Sequence, residues 1–168
     1  MIYYFFALIT LIFFLIIQIF VSMYLPFLGL IPEFVLVGLI YFSLKNGNIL
    51  GEMLGFFAGL FMDIFTIHIF GLKTMIFTIL GFFMGRLSNK LDESMIRVQV
   101  IVVFLSIVFY MLSTKIIYGI LLYGKFEIKF TFILANAIYS SLLTPFLFEI
   151  MNKWNKKLEK WSGKASRI

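Results

Sequence analysis

The stretch Gly51-Glu-Met-Leu-Gly55-Phe-Phe-Ala-Gly59-Leu-Phe-Met-Asp63 repeats glycine every four residues and ends the series on an aspartate. Steps of four keep to one side of a helix. Each glycine costs a helix about 1 kcal/mol relative to alanine, so three in one helix call for compensation. Close backbone approach to a neighbouring helix supplies it, as in small-xxx-small packing within membranes. Gly81 and Gly85 repeat the spacing in the next apolar segment. The two segments are therefore predicted to pack as a tight pair. Glu52 and Asp63 lie on the first of them, about 20° apart around the axis and ~16 Å apart along it. Intramembrane carboxylates are costly and point to function by default. Glu52 reads as structural pairing near one end. Asp63 either pairs with Lys73, caps a helix around the following loop, or serves a function.

Outward from this helix the chain is almost entirely apolar. Hydrophobic residues make up 62% of 168 positions, charged residues 13%, and mean hydropathy is +1.08. A soluble fold of this length leaves too much surface wet to hide such a load; a bilayer solvates it. Length alone suggests one domain. A spanning helix needs about 20 apolar residues, and candidates are 2–24, 33–44, 49–66, 72–86, 98–122 and 130–151. Turn signals separate them at Pro26 to Pro32, Lys45 to Asn48, His68 to Gly71, Arg86 to Arg97 and Tyr123 to Lys129. Backbone groups in lipid must be satisfied internally, and the runs show no alternation of the kind a barrel needs. The expected fold is all-α: a polytopic membrane bundle of about six transmembrane helices over 1–151, with a basic amphipathic tail over 152–168. The segment after Pro32 is short for a span, and five crossings is the alternative. The first run has no charge before Glu33 and no small-residue cleavage site, so it reads as an uncleaved span rather than a signal peptide.

Lysine and arginine placement sets orientation. With six spans, Lys45, Arg86, Lys90, Arg97, Lys153, Lys156, Lys157, Lys160, Lys164 and Arg167 share one side; Lys73, Lys125 and Lys129 share the other, with Lys115 inside the fifth segment. Both termini are expected in the cytoplasm. In the tail, Met151, Trp154, Leu158 and Trp161 recur at steps of three and four, while Lys153, Lys156, Lys157 and Lys160 occupy the other face. That pattern suits a helix lying among lipid headgroups, with Lys153, Trp154, Lys157 and Trp161 at the membrane surface. The net charge of +6 is thereby assigned to membrane lipids and not to nucleic acid.

Catalytic chemistry finds no foothold. There is no cysteine and a single histidine, His68, so a zinc site lacks a ligand set. Ser106, Ser113, Thr114, Ser140 and Ser141 have no base at a telling spacing, and no phosphate-binding loop is present. Neither enzymatic activity, a cofactor nor a metal is expected. Two intramembrane polar residues stand out beside the carboxylates. Lys115 falls in a polar stripe with Ser106, Tyr110, Ser113, Thr114 and Tyr118, and either snorkels outward or meets a carboxylate. Asn136 shares the last segment with Pro145, which should kink it. Such stripes suit either a small-solute pocket or a contact face for partner helices.

The stretch from Pro32 to Arg86, with Tyr41, Gly47, the Gly51–Asp63 series and Gly71-Leu72, together with Gly81, Gly85, Arg86, Asn136 and Pro145, resembles the bacterial rod shape-determining MreD family. The resemblance covers nearly everything except the tail. It implies a non-enzymatic inner-membrane scaffold of the elongasome, acting in lateral-wall peptidoglycan synthesis with an MreC-like protein, the MreB filament and the RodA–transpeptidase complex. It also implies a fold like the S-components of energy-coupling-factor transporters. A vitamin- or metal-uptake S-component is therefore the rival reading, although the first span, with Ala7 as its one alanine and no glycine, lacks the small-residue spacing those proteins show there. Whether the chain forms a homodimer is left open.

Overall fold

The computed structural model describes residues 2–24, 29–66, 69–88, 90–91, 95–123 and 129–161, with backbone course alone at 2, 122–123 and 159–161. His68, Lys125, Lys164 and Arg167 lie outside the described residues, as do the side chains of Lys160 and Trp161. Six helices follow in order: α1 (Ile2–Tyr24), α2 (Phe34–Asn46), α3 (Asn48–Ile64), α4 (Leu72–Leu87), α5 (Ile96–Tyr118) and α6 (Phe130–Trp161). A π-helical turn, Gly119–Tyr123, extends α5; the sequence pattern had run through it as continuous helix.

The short segment after Pro32 is the hub of the bundle. α2 has 13 residues, and ten in succession, Val35 to Leu44, are buried. It touches all five other helices. A helix apolar all round belongs inside, and at 1.5 Å per residue its length is only about 20 Å. Because protein sheathes it, it has no lipid boundary to match. Gly47, at φ 88, turns the chain from α2 straight into α3, a left-handed conformation that glycine adopts without steric cost.

Lipid faces are equally plain. On α1, Phe5, Ile9, Phe13, Ile16 and Phe20 are exposed at steps of three and four, while Ala7, Leu11 and Phe14 point inward. Exposed rows Ile101, Leu105, Phe109 on α5 and Leu134, Ile138, Leu142 on α6 continue this surface. So much contiguous apolar surface is incompatible with water. Three helices, over Tyr3–Tyr24, Ile96–Leu121 and Phe130–Leu158, are long and apolar enough to cross a membrane. The chain is a helical membrane protein.

α6 runs unbroken for 32 residues through Pro145 and past residue 151. Part of the apolar face of its final turns is turned to the bundle rather than outward. Met151 and Leu158 are buried against the bundle, and the Trp154 indole donates to Thr10 Oγ1 at 3.1 Å. A stripe at helical spacing serves a protein neighbour as well as a membrane surface, so periodicity could not choose. Lys153, Lys156 and Lys157 remain exposed. Tyr3 donates to Asn155 Oδ1 (2.6 Å) and accepts from Asn46 (3.1 Å); Tyr41 donates to Asn152 Oδ1 (2.8 Å), which also accepts from Lys45 (3.3 Å). This clasp joins α1, α2 and α6 at one end. Tyr3→Phe removes the Tyr3–Asn155 bond and is expected to cost about 1 kcal/mol, read as a modest fall in melting temperature in detergent.

Candidate functional site

The predicted glycine pair is the tightest junction in the molecule. α3 and α4 run antiparallel and make the most extensive interhelical contact. A methyl group placed on Gly51 would fall on the Gly81 carbonyl, one on Gly55 on the Phe77 carbonyl, and one on Gly59 on the Thr74 backbone. Gly81 and Gly85 meet Gly51 and Asn48 in the same way. All five glycines singled out by spacing thus stand where backbone meets backbone. Gly38, which lacks a partner four residues away, escaped that reading. It admits the side chains of Phe14 and Leu11 from α1.

Asp63 closes this seam at its far end. The side chain is 1% exposed. Its Oδ2 accepts from the N–H groups of Gly71 (3.0 Å) and Thr74 (2.9 Å) and from the Thr74 hydroxyl (2.7 Å), and its Oδ1 accepts from the Lys73 N–H (3.1 Å). These are the orphan donors at the start of α4, whose N-cap Gly71 has no side chain to offer. A carboxylate there is held by charge-assisted bonds and by the positive end of the helix. Of the sequence alternatives, the geometry is that of a cap; Lys73 contributes its backbone, not its ammonium.

The other singled-out residues scatter. Glu52 is exposed on α3, despite its nominal alignment with the buried Asp63. Lys115 is exposed on α5, as a snorkelling side chain would be. Asn136 is buried, accepts from the Ile31 N–H at 3.2 Å and donates to Met111 Sδ at 3.5 Å. Lys153 forms an exposed pair with Glu149 at 2.8 Å.

Asn136 belongs to a polar cluster the sequence did not reveal. Gln18 of α1 donates to Glu33 Oε2 (2.8 Å) and accepts from the Val35 N–H (3.0 Å), while the Glu33 N–H donates to Ser140 Oγ of α6 (3.3 Å). All three side chains are buried. The cluster binds α1 and α6 to the start of α2, at the end remote from the Tyr3–Asn155 clasp. One signal was available: Gln18 is the lone amide in the 23 residues of α1. Gln18→Leu is expected to lower stability by about 2 kcal/mol, since it strands a buried carboxylate; a melting curve in detergent checks this.

Among the described residues, no group of three or more metal-ligating side chains occurs. What the arrangement provides is a backbone-to-backbone helix pair fastened at its Asp63 end, in a bundle whose other faces are turned to lipid. A family model described as rod shape-determining protein MreD matches residues 1–154. No curated protein and no solved structure matches the chain.

Proposed function

The chain belongs to the MreD family of rod shape-determining proteins, and from this we propose that it is a non-enzymatic scaffold of the elongasome in the bacterial inner membrane. Its role lies in determining cell shape. In this reading it joins an MreC-like protein, and through it the MreB filament and the RodA–transpeptidase complex, so that lateral-wall peptidoglycan is inserted in register. The observation that carries the reading is the family match over nearly the whole chain. The glycine-seamed α3–α4 pair supports it, because a scaffold needs a body that does not deform when partners bind.

Co-purification from membranes tests the reading. An MreC-like protein is expected to accompany the tagged chain through mild detergent. Saturable binding of a vitamin by the isolated protein, without such a partner, would transfer it to the uptake S-components.

Orientation belongs to the same proposal. Lys45, Arg86, Lys90, Arg97, Lys153, Lys156 and Lys157 gather at one end of the bundle, against Lys73, Lys115 and Lys129 toward the other. By the positive-inside rule both termini face the cytoplasm, with Lys153, Trp154, Lys157 and Trp161 at the headgroup level. The chain has no native cysteine, so single cysteines report cleanly. Lys129→Cys should react with an impermeant maleimide from outside the membrane, and Lys157→Cys only after permeabilisation. The reverse pattern inverts the topology.

A further inference from the structure

Of the acidic side chains the structure describes, Asp63 caps α4, Glu33 accepts from Gln18, and Glu149 pairs with Lys153. Glu52 stands apart: among the described residues it makes no hydrogen bond or ion pair. It is exposed on α3, with Ile49 and Met53, 72% and 50% exposed, beside it. Arg86 of α4 is also exposed and, among the described residues, also unpaired. The glycine seam fixes how the two charges stand to one another. Gly85 packs on Asn48 and Gly81 on Gly51, backbone to backbone. Arg86 is one residue beyond Gly85 toward the lysine-rich end, and Glu52 four residues beyond Asn48 the other way. Five rises of about 1.5 Å separate them in depth by about 7.5 Å. Both helices rest on α2, and among the described residues α3 meets only α1, α2 and α4. The outer side of the pair is left bare, with Met53, Phe56 and Phe83 exposed on it.

A carboxylate among exposed apolar side chains of a membrane helix is costly, and an unmatched one calls for a cation from another molecule. An anionic leaflet surface suits Arg86 but repels Glu52, so lipid answers only half of this face. The face itself carries both charges. When a surface meets its own copy about a two-fold axis, residue i contacts j while j contacts i. An axis along the membrane normal also keeps both copies in one orientation and at one depth. We propose that the outer face of the α3–α4 pair is a two-fold interface with a second copy of this chain, in which Glu52 of each copy pairs with Arg86 of the other. Met53, Phe56 and Phe83 fill the space between the two charge pairs. The inference does not rest on the scaffold reading, since every group it uses belongs to this chain.

Two differently tagged full-length copies, expressed together, test this. Wild-type copies are expected to co-purify in mild detergent, and native mass spectrometry should show two copies with no other protein between them. Glu52→Arg in both copies, or Arg86→Glu in both, should lower co-purification about tenfold, because like charges then face each other across the interface. Glu52→Arg in one copy with Arg86→Glu in the other should restore it: the chain with two cations meets the chain with two anions. An ion pair within a single chain cannot be repaired by mixing, so the rescue is specific to pairing between copies, and it shows that both variants fold. In native membranes, where detergent plays no part, Met53→Cys or Phe56→Cys should give a disulfide-linked dimer under added oxidant, as the chain has no native cysteine. Leu142→Cys, also exposed but on α6, should not. Single copies in both assays, association indifferent to both charge reversals, or failure of the mixed pair to associate overturns the interface. A different membrane protein retained in place of the second copy, and lost on either reversal, would give the face to that protein and overturn the pairing of copies.

Discussion

Gly55→Leu is expected to yield no monodisperse protein from detergent extracts, and Gly59→Leu the same. At Gly55 even the first carbon of a side chain falls on the Phe77 carbonyl, and at Gly59 on the Thr74 backbone. A crowded side chain can change rotamer; a helical carbonyl cannot leave without taking its helix along. Overpacking that side chains can absorb costs about 1–3 kcal/mol. Here the α3–α4 pair must separate, and total stability is only about 5–15 kcal/mol. Gly38→Ala is the internal control, since it meets only the side-chain ends of Phe14 and Leu11, and should cost about 1 kcal/mol. Size-exclusion profiles and thermal melts distinguish the two classes. Wild-type melting by both leucine variants, with normal rod shape in cells, would show that α3 and α4 do not pack this way.

Asp63→Ala should cost about 3 kcal/mol or more, because it leaves buried donors at the start of α4 with no acceptor. The more instructive variant is Asp63→Asn. Both carboxylate oxygens accept from backbone N–H groups, Oδ2 from Gly71 and Thr74 and Oδ1 from Lys73. An amide must therefore turn its NH2 toward donors whichever way it flips. We expect a loss of about 2 kcal/mol, together with faster hydrogen exchange in the first turn of α4. Asp63→Asn melting and exchanging like the wild type would mean the charge is not needed, and the cap would be of little consequence.

These variants probe features of unequal legibility. The glycine seam could be read from the chain because both partners carry the same four-residue spacing in adjacent segments. The cap was one of several readings, since its recipients lie eight to eleven residues away across a loop and the N-cap itself is Gly71. The Gln18–Glu33–Ser140 cluster was not readable: its members come from three segments, and nothing local to Gln18 or Ser140 names the other. In the tail, Met151 and Leu158 are buried in the core, a placement that helical spacing alone does not separate from a lipid-facing stripe.

By itself the sequence determined the class of the protein, its helical bundle, the helix positions to within about two residues apart from the ends of α5 and α6, and the packing face of α3. These depend on local quantities: the length of an apolar run, the residue that ends it, and glycine spacing along one helix. Only the tertiary structure decided that the shortest α-helix stands at the centre, that Asp63 caps its neighbour, and that Gln18, Glu33 and Ser140 come together. The reason lies in the solvent. In water an apolar stripe identifies the buried face, but lipid and protein interior are both apolar, so hydrophobicity does not separate the face turned inward from the face turned to the membrane. Rotation and neighbourhood are then set by close packing and buried polar contacts between distant segments, and neither is written along the chain.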